Sequence, residues 1–389
     1  MNRFLAVGLL LLSPHLHAAP DAEPHPETQL FTALDQLDAG QVDQAQQALE
    51  RLVKRQPNFQ LAQLFYGELM AARAGAAPGS LPAALTATDL GNLREEARLR
   101  LNHWRQDVPA DAMPDAILQL SPAHRHAVLV DLSHARLYLM ERDQGGLRVA
   151  ASYYASIGKN GIGKKVAGDH RTPTGVYTIT GFNRDSVLPE LYGAGAFPLD
   201  YPNHWDRRQR RTGSGIWLHG VPRETFNRAP RSSEGCVTLA NEDLLALKPH
   251  FVPGETPVVF SESVAWHSPG ENAQQRDDFL RQLERWRERW SARDTEEYLA
   301  HYAEDFETDG MNKRAFSDYK RRVNAGKTFI EVKIADVDLF RYPGDEPLML
   351  ARFTQHYRSD NYEKSARKEQ YWRREADGRW RIVKEASGK

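Results

Sequence analysis

The hydrophobic period of the chain changes twice, and this constrains the fold more than any other sequence feature. From residue 27 to about 108 the pattern is helical. In "LDAGQVDQAQQALERLVKRQPNFQLAQLFYGELMAA", Ala45, Leu49 and Leu52 fall on one helical face, Gly40 sits in the turn before them and Pro57 ends the helix. A flexible break at "AGAAPGSLP" (74–82) precedes another helical stretch expected around 91–106. From about 125 the runs become short, β-type and bounded by Gly and Pro. They cover 127–132 and 136–140 around a Ser133-His134 turn, then 147–158, 174–182, 215–220 and 256–260, with one helix expected at "NEDLLALKPHF". After "HSPGENAQQ" (267–275) the helical period returns, with Phe279, Leu283, Trp286 and Trp290 on one stripe. Asp294 and Glu297 suggest a capping box for the next helix. Strands are then expected at 328–340, 347–358, 363–374 and 379–385.

The expected architecture is therefore multi-domain. An α-helical region (27–108) is followed by a mostly-β domain (125–262), a linker (263–275) and an α+β domain (276–389). The helical region resembles one tetratricopeptide-like hairpin, with no clear second copy. Helices followed by antiparallel strands, with Trp286, Trp290, Tyr298 and Tyr302 read as core, resemble an NTF2-like (SnoaL-like) cone, whose curved sheet encloses a pocket. That fold hosts both enzymes and passive binding pockets.

The first residues, "MNRFLAVGLLLLSPHLHAAPDAEPHPETQ", combine Arg3, an apolar run at 4–12 too short to anchor in a bilayer, and small residues at Ala18 and Ala19. They read as a signal peptide cleaved after Ala18 (residues 1–18), so the mature chain is expected in an exported, oxidising compartment. With 51 basic and 52 acidic residues the net charge is -1, so nothing draws the chain as a whole to nucleic acid. The basic run "DRRQRRTGSG" (206–215) reads as a solvated loop or as a rim for an anionic polymer.

The chain has a single cysteine, in "APRSSEGCVTLANEDL" (229–244). Cys236 cannot form an internal disulfide, so the fold is not stapled. It is either a buried apolar thiol or a nucleophile, and its glycine-flanked, polar neighbourhood is unlike a core strand. A nucleophilic thiol is activated by a nearby imidazole. His219 closes the strand-like "GIWLHG" 17 positions earlier, with a glycine after it that leaves room for a substrate.

Together "IWLHG" and "SSEGCVTLANEDL" resemble the signature of L,D-transpeptidase (YkuD-type) catalytic domains. "GKKVAGDHRTPTGVYTI" (163–179) is similar to that family's upstream Gly-Asp-x-x-Thr-Pro-x-Gly-x-Tyr stretch, and "VLVDLSHARLYLM" to its opening hairpin. The resemblance covers about 125–262 and implies chemistry on peptidoglycan stem peptides in the periplasm. It makes Cys236 the nucleophile, His219 the general base and Gly220 the carbonyl that orients the imidazole. Gly235 and Cys236 match the N–H donors of an oxyanion hole, and Ser233 a hydrogen-bonding support. Lys165, Arg171 and Arg231 are candidates for binding substrate carboxylates, with plain surface charge the alternative for each. Two departures stand out: Glu234 where cross-linking members have His or Arg, and Thr238 where they often have Arg. They leave the acyl acceptor open between an amine and water. Members joined to an NTF2-like domain resemble the L,D-carboxypeptidase branch, and another branch releases wall-linked lipoprotein. The resemblance implies no cofactor and no metal. The helical region is the candidate surface for a protein partner. A murein-binding scaffold with vestigial catalysis is the alternative of another class. A papain-like protease expects its cysteine before its histidine, the reverse of this order, and a zinc site has only Cys236 and His219 to offer.

Overall fold

The computed structural model describes residues 23–76, 86–106, 108, 111–143, 146–308, 310–344 and 346–388. The signal-peptide reading of 1–18 and most of the break at 74–82 lie outside these residues. The chain divides into two compact units, Met1–Pro57 with Ala62–Leu81, and Asn58–Leu61 with Pro82–Lys389. Four helices are described before the β region: Pro26–Asp38, Val42–Arg55, Gln60–Arg73 and Ala87–Arg105. The second buries Ala45, Leu49 and Leu52 and is preceded by Gly40 at φ +75°. The fourth starts at Thr86 with a reciprocal cap, because Asp89 three residues on returns the bond.

The β region contains a five-stranded sheet, ordered Gly146–Tyr154, Arg136–Asp143, His126–Asp131, Pro257–Ser261 and Gly175–Thr178. Pro257–Ser261 runs parallel to His126–Asp131; the remaining pairs are antiparallel. Facing it is a smaller sheet, ordered Val237–Thr238, Trp217–His219, Gly195–Pro198 and Asn183–Arg184. Val128, Val130, Leu137, Leu139, Val258 and Phe260 pack with Phe197, Leu218, Val237 and Leu244 to form the core beside the site.

The other face of the five-stranded sheet is also covered. Ala127, Leu129, Tyr138, Met140, Val176 and Val259 pack against Phe340, Tyr342, Leu348, Leu350 and Tyr371 of the C-terminal sheet. A sheet buried on both faces needs apolar residues at every position. That is why "AVLVD" and "VVF" read as continuous runs and not as alternating strands.

The C-terminal sheet contains Ile330–Tyr342, Leu348–Ser359, Tyr362–Arg374 and Trp380–Ser387, close to the four strands expected, with Tyr302–Thr308 and Met311–Asn312 added. Its far edge strand, Ile117–Gln119, comes from before the β domain. Phe279, Leu283, Trp286 and Trp290 of the long helix pack into its inner face together with Tyr298 and Tyr302, as core residues. The Lys320 ammonium stands 4.0 Å from the centroid of the Trp290 ring.

Two expectations are corrected. Residues 263–275 are not a free linker: Trp266–His267 pairs with Met113–Pro114, and Pro269–Ser291 is a single helix. The cause is local, since Ser268 and Glu271 form a capping box and Pro269 fits the first helical turn. The box expected between Asp294 and Glu297 does not form. Asp294 precedes the helix Thr295–Leu299 without a side-chain cap, and its carboxylate bonds Arg289 at 3.1 Å.

Candidate active site

His219 ends the strand Trp217–His219, which lies parallel to Val237–Thr238 with Leu218 opposite Val237 and His219 opposite Thr238. Continuing that register sets Trp217 beside Cys236. Side chains alternate along a strand, so His219, Trp217, Cys236 and Thr238 project from one face, with the His219 and Cys236 Cα atoms about 8 Å apart. The 17-residue separation in sequence is thus closed by one parallel strand pair.

His219 Nδ1 lies 2.7 Å from the Gly220 carbonyl. A carbonyl only accepts, so Nδ1 carries the proton and Nε2 keeps its lone pair. Gly220 itself is enclosed: a Cβ there would stand 2.1 Å from Asn241 Oδ1. Asn241 takes N–H bonds from Ala194 (2.8 Å) and Val221 (3.2 Å) and donates to the Val221 carbonyl (2.8 Å), pinning the chain on either side of the histidine. The Tyr192 ring meets the imidazole edge-on at 4.9 Å.

The turn before Cys236 is braced by Ser233, whose hydroxyl donates to the Cys236 carbonyl at 2.6 Å and accepts the Gly235 N–H at 3.1 Å. This corrects the oxyanion expectation for Gly235. Its N–H is engaged inside the turn, so the donor left for an oxyanion is the Cys236 N–H. Gly235 adopts φ +121°, and a Cβ there would meet the Arg171 carbonyl at 2.8 Å, so only glycine fits. Thr172, fully buried, donates to the Gly235 carbonyl (3.0 Å) and accepts the Gly158 N–H (2.9 Å). Asp169 gathers the N–H groups of Lys165, Val166 and Arg171 and the Lys164 ammonium at 2.8 Å. The upstream Gly-Asp-x-x-Thr-Pro stretch is therefore the cradle of the cysteine turn.

The thiol is half-buried and donates to the Gly215 carbonyl at 3.3 Å, not to His219. Burial pushes it up to about 11, against the pull of the Trp217 N–H, Arg228 and Lys164. Burial likewise pushes His219 down to about 4, with the Gly220 bond opposing and Arg228 assisting. The resting pair is thus a neutral thiol beside a neutral imidazole, and not the thiolate that a neighbouring imidazole suggests from sequence.

Of the three basic candidates, Arg171 donates to the Ile162 carbonyl at 2.8 Å, exposed Arg231 lies 3.6 Å from Glu95, and Lys165 is exposed. The cations whose charge reaches the thiol are Arg228 and Lys164. Glu234 faces solvent, 3.2 Å from Lys159 and 3.8 Å from His170. Thr238 is buried in its strand. Arg228 lay outside every motif, and Asn241 lay within the quoted cysteine stretch without a role assigned to it. Asp169 and Thr172 lay within the quoted upstream stretch, which is where a signal for them existed.

Residues 125–260 match the model of the L,D-transpeptidase catalytic domain, and residues 278–386 that of the Cds6 C-terminal NTF2-like domain. Comparison with curated proteins finds no match. Among solved structures, Bd1075 of Bdellovibrio bacteriovorus is similar at 31% identity and a TM-score of 0.64, over 72% of this chain and 98% of that one. Pgp2 of Campylobacter jejuni, a helical cell shape determining protein, is similar in fold at 24% identity and a TM-score of 0.57, over 73% and 97% of the two chains. The chain belongs to the family of L,D-transpeptidase-type peptidoglycan enzymes in which the catalytic domain is joined to a Cds6-type NTF2-like domain.

Proposed function

We propose that this chain is an exported cysteine acyl-transfer enzyme acting on the tetrapeptide stems of peptidoglycan, with Cys236 as nucleophile and His219 as base. The observation that carries the reading is the Nδ1 bond from His219 to the Gly220 carbonyl, at the end of a strand whose parallel partner begins next to Cys236. It leaves Nε2 as the one imidazole nitrogen able to take a proton.

In the first half-reaction Cys236 turns from the Gly215 carbonyl towards His219. The sulfur bonds to the carbonyl carbon of the L-centre residue while Nε2 takes the thiol proton. The oxyanion forms against the Cys236 N–H. Collapse breaks the carbon–nitrogen bond, and the leaving amine of the terminal D-residue takes the proton from His219, leaving a thioester. In the second half-reaction an acceptor loses its proton to His219 and displaces the sulfur, which takes that proton back. Neutral groups suit this exchange, since an imidazole that is unprotonated at rest is ready to act as base.

Digestion of purified disaccharide-tetrapeptide followed by mass analysis reads the acceptor directly. A tripeptide product means water, and a 3–3 cross-linked dimer means an amine. If neither forms while a lipoprotein-linked muropeptide is cleaved, the stem reading fails. His219→Ala should abolish acylation of Cys236 by the stem; acylation at the wild-type rate would remove His219 from its role. Periplasmic location, from residues 1–18, and a protein partner at the helical region belong to the same proposal. So does a role in cell shape, which is supported by the likeness to Pgp2, itself a cell shape determining protein.

A further inference from the structure

The loop from Val221 to Pro230 leads from the histidine strand back to the strand Arg231–Ser233, and its main chain is held along its length. Asn241 fixes Val221. Arg223 bonds Glu190 at 3.1 Å and Asp185 at 2.8 Å. Phe226 packs on Phe59 with ring centroids 4.3 Å apart. The Tyr154 hydroxyl donates to the Arg228 carbonyl at 3.1 Å, and the Ser156 and Ser232 hydroxyls both donate to the next carbonyl, Ala229.

This fixed segment presents a guanidinium. Arg228 is half-buried, and its Nη2 makes one long bond, 3.4 Å, to the Leu191 carbonyl. The next residue, Tyr192, is the ring that meets His219 edge-on. Arg228 has no carboxylate within ion-pair distance among the described residues, whereas the neighbouring Arg223 has two. Its charge acts on the Cys236 thiol, the His219 imidazole and the Tyr192 hydroxyl together. A partly desolvated arginine without a counter-ion is costly, and an anionic ligand offsets that cost.

We propose that Arg228 binds the free C-terminal carboxylate of the stem, that of the D-residue expelled in the first half-reaction. The inference rests on Cys236 as the nucleophile. In a terminal residue the carboxylate carbon lies about 3–4 Å from the attacked carbonyl carbon, by standard bond lengths. An anchor for it must therefore stand near the imidazole and thiol, and Arg228 is held on the Leu191 carbonyl, one residue from the Tyr192 ring that packs on His219. A planar guanidinium can hold a carboxylate through two parallel bonds, which fixes the scissile bond in orientation as well as place. The enzyme then requires a stem that ends at the residue it removes.

The test uses the full mature chain and two probes, disaccharide-tetrapeptide and the same compound with its C-terminal carboxylate converted to a carboxamide. The rate of Cys236 acylation is followed by intact mass, and in parallel its reaction with a neutral dipyridyl disulfide. Wild type should prefer the carboxylate probe by about 10–100-fold, the range for a hydrogen bond to a charged group. Arg228→Gln should bring the ratio of the two probes towards one, mainly through KM, and Arg228→Lys should recover part of it; thermal melts check that both variants fold. Equal handling of the probes by wild type overturns the proposal. So does Arg228→Gln slowing both probes and the disulfide reaction by one common factor, which assigns Arg228 to the thiol. If neither probe acylates wild type, the reading of Cys236 fails and the proposal with it.

Discussion

The resting state of Cys236 gives the sharpest test, because a single cysteine makes every thiol measurement on this chain unambiguous. The perturbation is pH. With the thiol pushed up to about 11 from an ordinary 9.0, its ionised fraction at pH 7 is about 10⁻⁴ in place of about 10⁻², since each unit is tenfold. A thiolate of higher pKa is intrinsically more nucleophilic, with a Brønsted slope of about 0.4–0.5, which returns roughly one of those two powers of ten. The folded protein should therefore react with a neutral dipyridyl disulfide about tenfold more slowly at pH 7 than the same chain unfolded in urea. The rate should climb about tenfold per pH unit from 6 to 10. Steric shielding lowers the whole curve without changing that slope, so the slope is the criterion. His219→Ala should leave it unchanged, because the imidazole is neutral throughout this range. A rate that levels off at or below neutral pH, and loses that plateau in His219→Ala, would show a thiolate–imidazolium pair and refute the reasoning.

The remaining predictions concern the frame around the thiol and the packed domain face. For the wild-type enzyme, kcat/KM should rise as His219 loses its proton near pH 4 and stay flat from about 5 to 9; a limb near 6.5 would contradict the buried, neutral imidazole. Thr172→Val leaves the Gly158 N–H and the Gly235 carbonyl without partners and should cost about 1–3 kcal/mol in urea unfolding, with a fall in acylation rate; a loss below about 0.5 kcal/mol would mean the turn holds without it. Burial raises Asp169, but the Lys164 ammonium and three N–H groups outweigh it and hold the carboxyl below its ordinary range. Its stabilising contribution is therefore fully present above the unfolded value near 3.8 and is lost progressively as pH falls from there through the lowered folded value, so Asp169→Asn should lower Tm most at pH 7 and by a steadily smaller amount as pH falls below 4. Asp200 is the opposite case: burial raises it to about 6, so the native state binds its proton more tightly and stability falls as pH rises from about 4 to 6. Asp200→Asn should raise Tm at pH 7.5 by the equivalent of about 1–3 kcal/mol and give no gain at pH 3.5; a gain that does not vary with pH would exclude titration as its source.

The amino-acid sequence determined a good deal alone, wherever the cause of structure is local. The face formed by Ala45, Leu49 and Leu52, the aromatic stripe from Phe279 to Trp290, and the four long C-terminal strands each carry their own period, and each is found close to where the pattern sets it. Cys236, His219 and Gly220 stand out as candidates because their chemistry and order are written within short motifs. What the tertiary structure decided has no local period. Ile117–Gln119 joins a sheet whose partner strand lies more than 200 residues away, and the five-stranded sheet is apolar on both faces because a second domain covers the side that would otherwise be polar. Thr172 reaches Gly235 across 63 residues, and that contact makes the upstream motif a support for the cysteine turn. The Gly235 N–H, free in the sequence reading, is taken by Ser233 once the turn closes. Arg228 is one arginine among many in the sequence. A pinned loop and, among the described residues, no carboxylate within ion-pair distance set it apart, and both depend on how distant segments pack in three dimensions.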